Sequence, residues 1–290
     1  MTTHLELVRL PELMKLGEGR SEIGVAVIDG PVALGHPDLA AAAIRELPGK
    51  SPAGCQLHES GACEHGTLVA GMLFARRGSA APAISPGCTL FLRPIFGESA
   101  GGARPPTASP EELASAIVES VDAGARVINL SSALTSPSPR GEDRLELALN
   151  HAAQRGVIAV AAAGNHASVG SSVITRHRWV IPAAACDSRG WPLAGGNVGS
   201  SIGRNGLSAP GERITSLGTQ SKSGTLGGTS AAAPFVTGTI ALLWSLFPGA
   251  TAARIRLAVT GTENRRRARI VPPLLNAWAA YQALASGRIA

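Results

Sequence analysis

The sequence predicts a three-layer α/β fold, in which a mostly parallel central sheet has helices on both faces. Apolar, β-rich runs that stop abruptly at a polar residue recur along the chain, and helical patterns lie between them. Strands that are apolar throughout are typical of parallel sheets covered on both sides. A chain of 290 residues is long enough for one such domain with a large core.

Five apolar runs are predicted to be strands: Val25–Ile28, Thr89–Ile95, Val127–Leu130, Val157–Ala163 and Trp179–Ala184. The first of them ends at Asp29, and two later ones are followed by Ser131 and Asn165. Ligands of open α/β sheets bind beyond the carboxyl ends of the strands. These three polar residues are therefore expected at one edge of the sheet, where a site would form.

The predicted helices are Leu5–Leu16, His65–Phe74, Pro110–Ala123, Arg144–Arg155 and Phe235–Leu246. Ser109 is the expected N-cap of the third, with acidic residues in its first turn, and Gly156 closes the fourth. The chain is divided into a short N-terminal helical extension, residues 1–20, and one domain, residues 21–290.

Charge and hydropathy exclude some functions. The net charge is +6, but the dense basic run, Arg265–Arg267 with Arg269, has no aromatic residues interleaved and indicates a solvated turn. Nucleic acid is therefore not expected as a partner. The apolar runs are too short or too interrupted to cross a membrane. The N-terminus shows no secretory signal, so a cytoplasmic protein is expected.

The four cysteines leave the redox state open. They contain no CxxC pair, so a zinc site is not expected. Cys55 and Cys63 bracket a short polar loop and are the favoured pair in an oxidising compartment, although three complete pairings are possible. In the cytosol all four would more often be free thiols.

Four residues could carry chemistry, although each also has an ordinary structural explanation. Asp29 could be a turn aspartate, His65 a capping or packing histidine, and Asn165 part of a common Gly-Asn turn. Ser230 could be a helix N-cap. The glycines before it, Gly227 and Gly228, would however let the backbone approach a ligand closely at the positive end of a helix.

The order of these residues resembles the subtilase family of serine peptidases. The matching segments are Val25–Asp29 with His36–Leu39, His65–Thr67 with Val69–Gly71, Val127–Ser131, Ala162–Asn165, Ala209–Gly211, and Gly228–Ala231 with Pro234. The resemblance implies a subtilisin-like fold with a catalytic triad. In that triad Ser230 is the nucleophile, His65 the general base, and Asp29 the group that orients the imidazole. Asn165 and the backbone N–H of Ser230 would form the oxyanion hole.

The resemblance also places extended substrate against residues 127–133 and predicts an S1 pocket walled by Ser131, Ser132, Ala133, Ala163 and Gly164. Subtilases usually carry glycine at the position of Ser132, so a narrower S1 entrance or a preference for small P1 residues is expected. No acidic loop resembles the strong calcium site of the family. Neither a metal nor a cofactor is therefore expected.

Shorter motifs indicate a subgroup. Asp29–Val32, Ile84–Cys88 and Arg93–Phe96 look like segments of the subtilases that mature cyanobactin-type ribosomal peptides. Those enzymes remove a leader from a precursor peptide or macrocyclise its core. The macrocyclases carry a helical insertion between the aspartate and the histidine, for which the short stretch from Asp29 to His65 leaves no room. Leader removal by hydrolysis is therefore favoured; a macrocyclising transamidase and a catalytically impaired peptide-binding pseudo-peptidase are the alternatives.

Overall fold

The computed structural model describes residues 4–99, 108–131, 139–261 and 270–287. Ser132 and Ala133, predicted to line the substrate site, and the basic run Arg265–Arg269 lie outside the described residues. The centre of the molecule is a seven-stranded sheet in the order β2-β3-β1-β4-β5-β6-β7. Its strands are β1 Gly24–Asp29, β2 Ala43–Glu46, β3 Thr89–Pro94, β4 Val127–Leu130, β5 Ile158–Ala162, β6 Ile181–Cys186 and β7 Leu207–Pro210.

Every neighbouring pair of strands in this sheet is parallel. A separate antiparallel hairpin follows, formed by β8 (Ile214–Leu217) and β9 (Ser223–Leu226). A 3-10 turn spans Pro37–Leu39. The helices in the described part of the chain are α1 His4–Leu7, α2 Leu10–Met14, α3 Gly61–Phe74, α4 Pro110–Asp122, α5 Pro139–Gln154, α6 Val173–Arg176, α7 Ser200–Asn205, α8 Thr229–Leu246, α9 Ala252–Thr260 and α10 Ala277–Ala285.

Alternate residues of the strands pack into two separate hydrophobic cores, one on each face of the sheet. Along β1, Val25 and Val27 belong to the core that contains α3 and α8, whereas Ala26 and Ile28 belong to the core beneath α4 and α5. Both sheet faces are therefore buried, because side chains of a strand point alternately to opposite faces. The predicted three-layer fold is confirmed.

Helix α8 runs through the larger core and contacts strands β4 to β7. It has 18 residues, and by length and composition alone it could cross a membrane, but 89% of it is buried inside the protein. A helix that is apolar all round is expected in the core of a large domain. Its apolar character is thus explained by the core that surrounds it.

The N-terminal helix is shorter and more broken than predicted. The interval Leu5–Leu16 contains two short helices, and Arg9 between them has a left-handed backbone with φ 56°. In a continuous helix the ring of Pro11 would clash with the carbonyl of Leu7, four residues earlier, which explains the break. Leu10 and Leu13 are fully buried in the larger core, so this segment packs as part of the main body.

Candidate active site

Three neighbouring strands bring polar residues to one edge of the sheet. Asp29 is the last residue of β1, Ser131 follows β4, and Asn165 lies three residues beyond the end of β5. Strands β1, β4 and β5 are adjacent and parallel, so their carboxyl ends share this edge. The sequence prediction that these residues meet here is confirmed.

Asp29 and His65 form a close pair. The Nδ1 atom of His65 lies 2.6 Å from Oδ1 of Asp29. The same carboxylate oxygen accepts a hydrogen bond of 2.7 Å from the backbone N–H of Gly30. Asp29 is fully buried, and its Oδ2 has no partner among the described residues. A buried carboxylate held in this way fixes the orientation of the ring and favours a proton on Nδ1.

The charge of Asp29 changes the basicity of His65. Burial lowers the pKa of His65, but the charge and hydrogen bond of Asp29, with a smaller contribution from Glu64, outweigh it, so the pKa is raised. With Nδ1 turned to Asp29, the other ring nitrogen, Nε2, is the acceptor when the ring is neutral. The imidazole is thus prepared to take a proton from a neighbouring group.

Helix α3 holds His65 against the end of β1 by backbone contact. A Cβ atom added to Gly30 would lie 2.0 Å from the carbonyl oxygen of Ala62, and one added to Gly66 would lie 2.4 Å from the carbonyl oxygen of Gly30. Side chains at either position would push the two elements apart. Glycine at positions 30 and 66 therefore has a steric reason in this chain.

Two further contacts fix the start of α3. Ser60 is its N-cap and accepts a hydrogen bond from the N–H of Cys63. Cys63 is also joined to Cys55 by a disulfide, as favoured for an oxidising compartment. Cys88 and Cys186 are free and buried.

Ser230 lies in the first turn of α8 and exchanges hydrogen bonds with Ser131. Its Oγ donates to the Ser131 carbonyl at 2.7 Å, and Ser131 Oγ donates to the Ser230 carbonyl at 3.2 Å. That second carbonyl is available because Pro234, four residues on, has no N–H to bond to it. Among the described side chains, no hydrogen bond joins Ser230 to His65. Such bonds are often formed only when substrate binds.

Asn165 is oriented by the residue before the serine. Its Oδ1 accepts from the backbone N–H of Thr229 at 2.9 Å and from the Thr229 hydroxyl at 3.1 Å. A Cβ atom on Gly228 would lie 2.7 Å from that oxygen, so only glycine fits there. Because Oδ1 bonds to Thr229, the amide nitrogen of Asn165 is directed away from Thr229. The side chain is exposed, so this nitrogen can donate to another group.

The sequence and the fold are similar to those of known proteins. The sequence profile described as the subtilase family matches residues 20–273. The chain belongs to the subtilase family. These are the subtilisin-like serine peptidases. The thermostable alkaline protease of Halalkalibacterium halodurans is 31% identical over 239 residues, and the match covers 82% of this chain and 61% of that protease.

Solved structures give the same assignment. The structure of a mutant of the protease domain of PatA has a TM-score of 0.83 and 30% identity, covering 94% of this subtilase and 98% of that chain. The prenylagaramide maturation protease PagA has a TM-score of 0.81 and 27% identity, covering 95% and 98%. The predicted likeness to the cyanobactin maturation proteases is confirmed.

The predicted substrate wall of this subtilase is only partly described. Ser131 and Ala163 are buried, and Gly164 is buried with a left-handed φ of 105°. The N–H of Gly164 donates to the hydroxyl of Thr229 at 3.1 Å. Ser132 and Ala133 lie outside the described residues. The S1 assignment of these five residues stays a prediction.

Two supporting residues were not predicted from the sequence. Thr229 forms hydrogen bonds with both Asn165 and Gly164. The motif Gly228-Thr229-Ser230 was the sequence signal that could have identified it. Asn197 is the other: its Oδ1 accepts from the N–H groups of His166 and Ser168, at 2.9 and 3.2 Å. Its Nδ2 donates to the carbonyl of Ala163 at 3.1 Å. No local pattern connects Asn197 to the turn that carries Asn165, because the two meet only in the fold.

Proposed function

We propose that this subtilase is a serine endopeptidase that removes the leader from a ribosomally made precursor peptide. The observation that carries the catalytic part is the 2.6 Å pair of Asp29 with His65, set at the sheet edge to which α8 brings Ser230. The raised pKa of His65 and the orientation of its ring suit this residue to act as the general base. The substrate class is supported by the likeness to PagA, whose name describes it as a maturation protease.

The proposed reaction begins when Ser230 turns from the Ser131 carbonyl toward Nε2 of His65. That move exchanges one hydrogen bond for another, so its cost is small. His65 takes the hydroxyl proton as Ser230 Oγ attacks the scissile carbonyl, and Asp29 stabilises the imidazolium. The proton then passes to the leaving amine. Water hydrolyses the acyl-enzyme by the same route in reverse.

Negative charge develops on the carbonyl oxygen during both steps. Asn165 is the proposed side-chain donor to this oxyanion, with the backbone N–H of Ser230 at the positive end of α8 as the second donor. The two hydrogen bonds that Thr229 makes to Asn165 hold the amide in place before substrate arrives. One donor of this kind lowers the barrier by about 3–4 kcal/mol.

A fluorophosphonate probe tests the catalytic part. We expect wild-type protein to be labelled at Ser230, Ser230→Ala to be unlabelled, and Ser208→Ala, a buried serine of β7, to be labelled as wild type. Folding of each variant is checked by thermal unfolding. A well-folded wild-type protein that takes no label would exclude the peptidase and leave a peptide-binding pseudo-peptidase.

Mass spectrometry of a precursor peptide tests the substrate part. Hydrolysis adds one water to the sum of the products, whereas macrocyclisation adds none. We expect a linear leader and a linear core, both absent with Ser230→Ala. A cyclic core would establish the transamidase instead. A cytoplasmic location stays a prediction of the sequence.

A further inference from the structure

Close to His65, three side chains offer ligand atoms of the kind that soft metal ions prefer. The ligand atoms of Cys55, His58 and Cys63 all lie within 4.8 Å of one another. His58 is exposed, Cys55 is partly buried and Cys63 is buried. In the structure the two sulfurs are joined as a disulfide. We propose that reduction of this disulfide converts the cluster into a binding site for a d10 cation such as Zn²⁺, with Cys55, Cys63 and His58 as ligands.

The donor set and its spacing suit this ion. Zn²⁺ takes thiolate sulfur at about 2.3 Å and imidazole nitrogen at about 2.0–2.1 Å in a tetrahedral arrangement. These bond lengths put neighbouring ligands of a tetrahedral site about 3.5 Å apart. Once reduced, the two sulfurs must move apart to this spacing, and the imidazole of His58 already lies within 4.8 Å of both. A metal site was not expected from the sequence, because the spacing Cys-x2-His-x4-Cys contains no CxxC pair. Water would occupy the fourth position.

The loop that carries the ligands is held by bonds other than the disulfide. The N–H of Cys55 donates to the Val32 carbonyl at 3.1 Å. The carboxylate of Glu98 accepts from the N–H groups of Gln56 and Leu57, at 2.8 and 2.9 Å. The N–H of Ser60 then donates to the Leu57 carbonyl at 3.0 Å. Because none of these bonds uses the disulfide, we expect the two thiols and the imidazole to stay within reach of one ion after reduction.

The position of Cys63 favours the form that binds metal. It is the third residue of α3, where the positive end of the helix dipole favours a thiolate and acts against the cost of burying the side chain. The Glu98 carboxylate, which lies beyond the end of β3, bonds to backbone N–H groups of this loop and contributes negative charge beside it. Cys88 and Cys186 are buried elsewhere, and burial raises the pKa of both thiols, so they do not compete.

The chemistry balances as two steps. A phosphine reductant and one water break the S–S bond, giving two thiols and the phosphine oxide. Zn²⁺ then replaces the two thiol protons, which pass to the buffer. The affinity should therefore rise with pH, as for other thiolate sites.

Equilibrium dialysis with Zn²⁺, and the charge-transfer and d–d bands of Co²⁺, test the proposal on the full chain. We expect one equivalent in phosphine-reduced protein and none in oxidised protein. His58→Ala should lower the affinity by about tenfold or more, whereas His151→Ala, a partly exposed histidine of α5, should not. The Cys55→Ser/Cys63→Ser variant should lose the thiolate bands although Cys88 and Cys186 remain.

Three results would overturn the proposal. The first is reduced protein that binds no more Zn²⁺ than the oxidised form. The second is His58→Ala with the wild-type affinity and Co²⁺ spectrum. The third is reduced protein that has lost its native circular dichroism and does not regain it with Zn²⁺, because the proposed site needs a loop that stays folded. None of these readouts depends on peptidase activity, so they stand apart from the proposed function.

Discussion

Replacing Asn197 with alanine should slow the peptidase step while leaving substrate binding nearly unchanged. Its side chain ties together the backbone on either side of Asn165, through the groups of Ala163, His166 and Ser168. It touches neither His65 nor Ser230 in any described hydrogen bond. Its effect on catalysis should therefore pass through the position of Asn165.

The magnitude follows from what is lost and what remains. Three hydrogen bonds disappear, each worth about 1 kcal/mol net, but His166 and Ser168 are exposed, so water can replace two of them. The backbone bond from the N–H of Asn197 to the Gly164 carbonyl, 2.9 Å, is retained. We therefore expect a loss of about 1–2 kcal/mol of transition-state stabilisation, which is about a 5–30-fold fall in kcat.

The assay is steady-state cleavage of a peptide substrate, combined with a double-mutant cycle. Asn165→Ala alone should lower kcat by about 10²–10³-fold. In that background Asn197→Ala should cost little more, because the residue that it positions is gone. Asn276→Ala is the matched control: this asparagine caps α10 through a 2.9 Å bond to the N–H of Ala279. It should lose about 1 kcal/mol of stability and keep its kcat.

Additive losses of kcat in the two variants would refute this reasoning, since they would mean that Asn197 acts independently of Asn165. A rise in KM with unchanged kcat would refute it as well, because the side chain would then serve substrate binding. Thermal unfolding of each variant separates both results from general destabilisation.

Further outcomes follow from the same structure. Because the pKa of His65 is raised, kcat/KM should fall with decreasing pH through a midpoint above about 6.5, and Asp29→Asn should move that midpoint down. Ellman's reagent should label neither Cys88 nor Cys186 in native oxidised protein, since burial and a neighbouring aspartate raise the pKa of Cys186 to about 12; both should react after denaturation. Gly30→Ser, whose Cβ would lie 2.0 Å from a carbonyl oxygen of α3, should lower the free energy of unfolding by about 3 kcal/mol or more.

The sequence predicted five strands of the sheet because their signal is local, but it missed the short buried strand β7, Leu207–Pro210. Val127–Leu130 was placed to the residue, and Val157–Ala163 differs from β5 by one residue at each end. The edge strand β2, Ala43–Glu46, was missed, since its residues are mostly exposed and lack an apolar run. The hairpin of β8 and β9 was missed for a similar reason, as the second strand has a single buried residue, Leu226.

Helix beginnings were less predictable than helix bodies. The predicted helix at His65 begins at Gly61, one turn earlier, because Ser60 supplies the cap. By contrast, Ser109 was identified as a cap and the observed helix begins at Pro110 as predicted. Both serines cap through the same kind of bond. The difference lies in the first turns. Two consecutive acidic residues follow the start of α4 and identify it, whereas Gly61 and Ala62 at the start of α3 give no such signal.

In the candidate site, too, the residues that lie in local motifs were predictable from the sequence, and those that depend on long-range contacts were not. Asp29, His65, Asn165 and Ser230 occur in short motifs because each must combine a strand end or helix start with a particular side chain. The residues that support them are under no such local constraint: Asn197 needs only to reach the turn after β5 once β6 and β7 have been added to the sheet. Its contacts depend on the register of strands that are distant in sequence. Pro234 lies between these cases. Its missing N–H is a local property of proline, yet the hydroxyl that donates to the freed carbonyl is that of Ser131, which follows β4 and is 99 residues from Ser230 in the sequence.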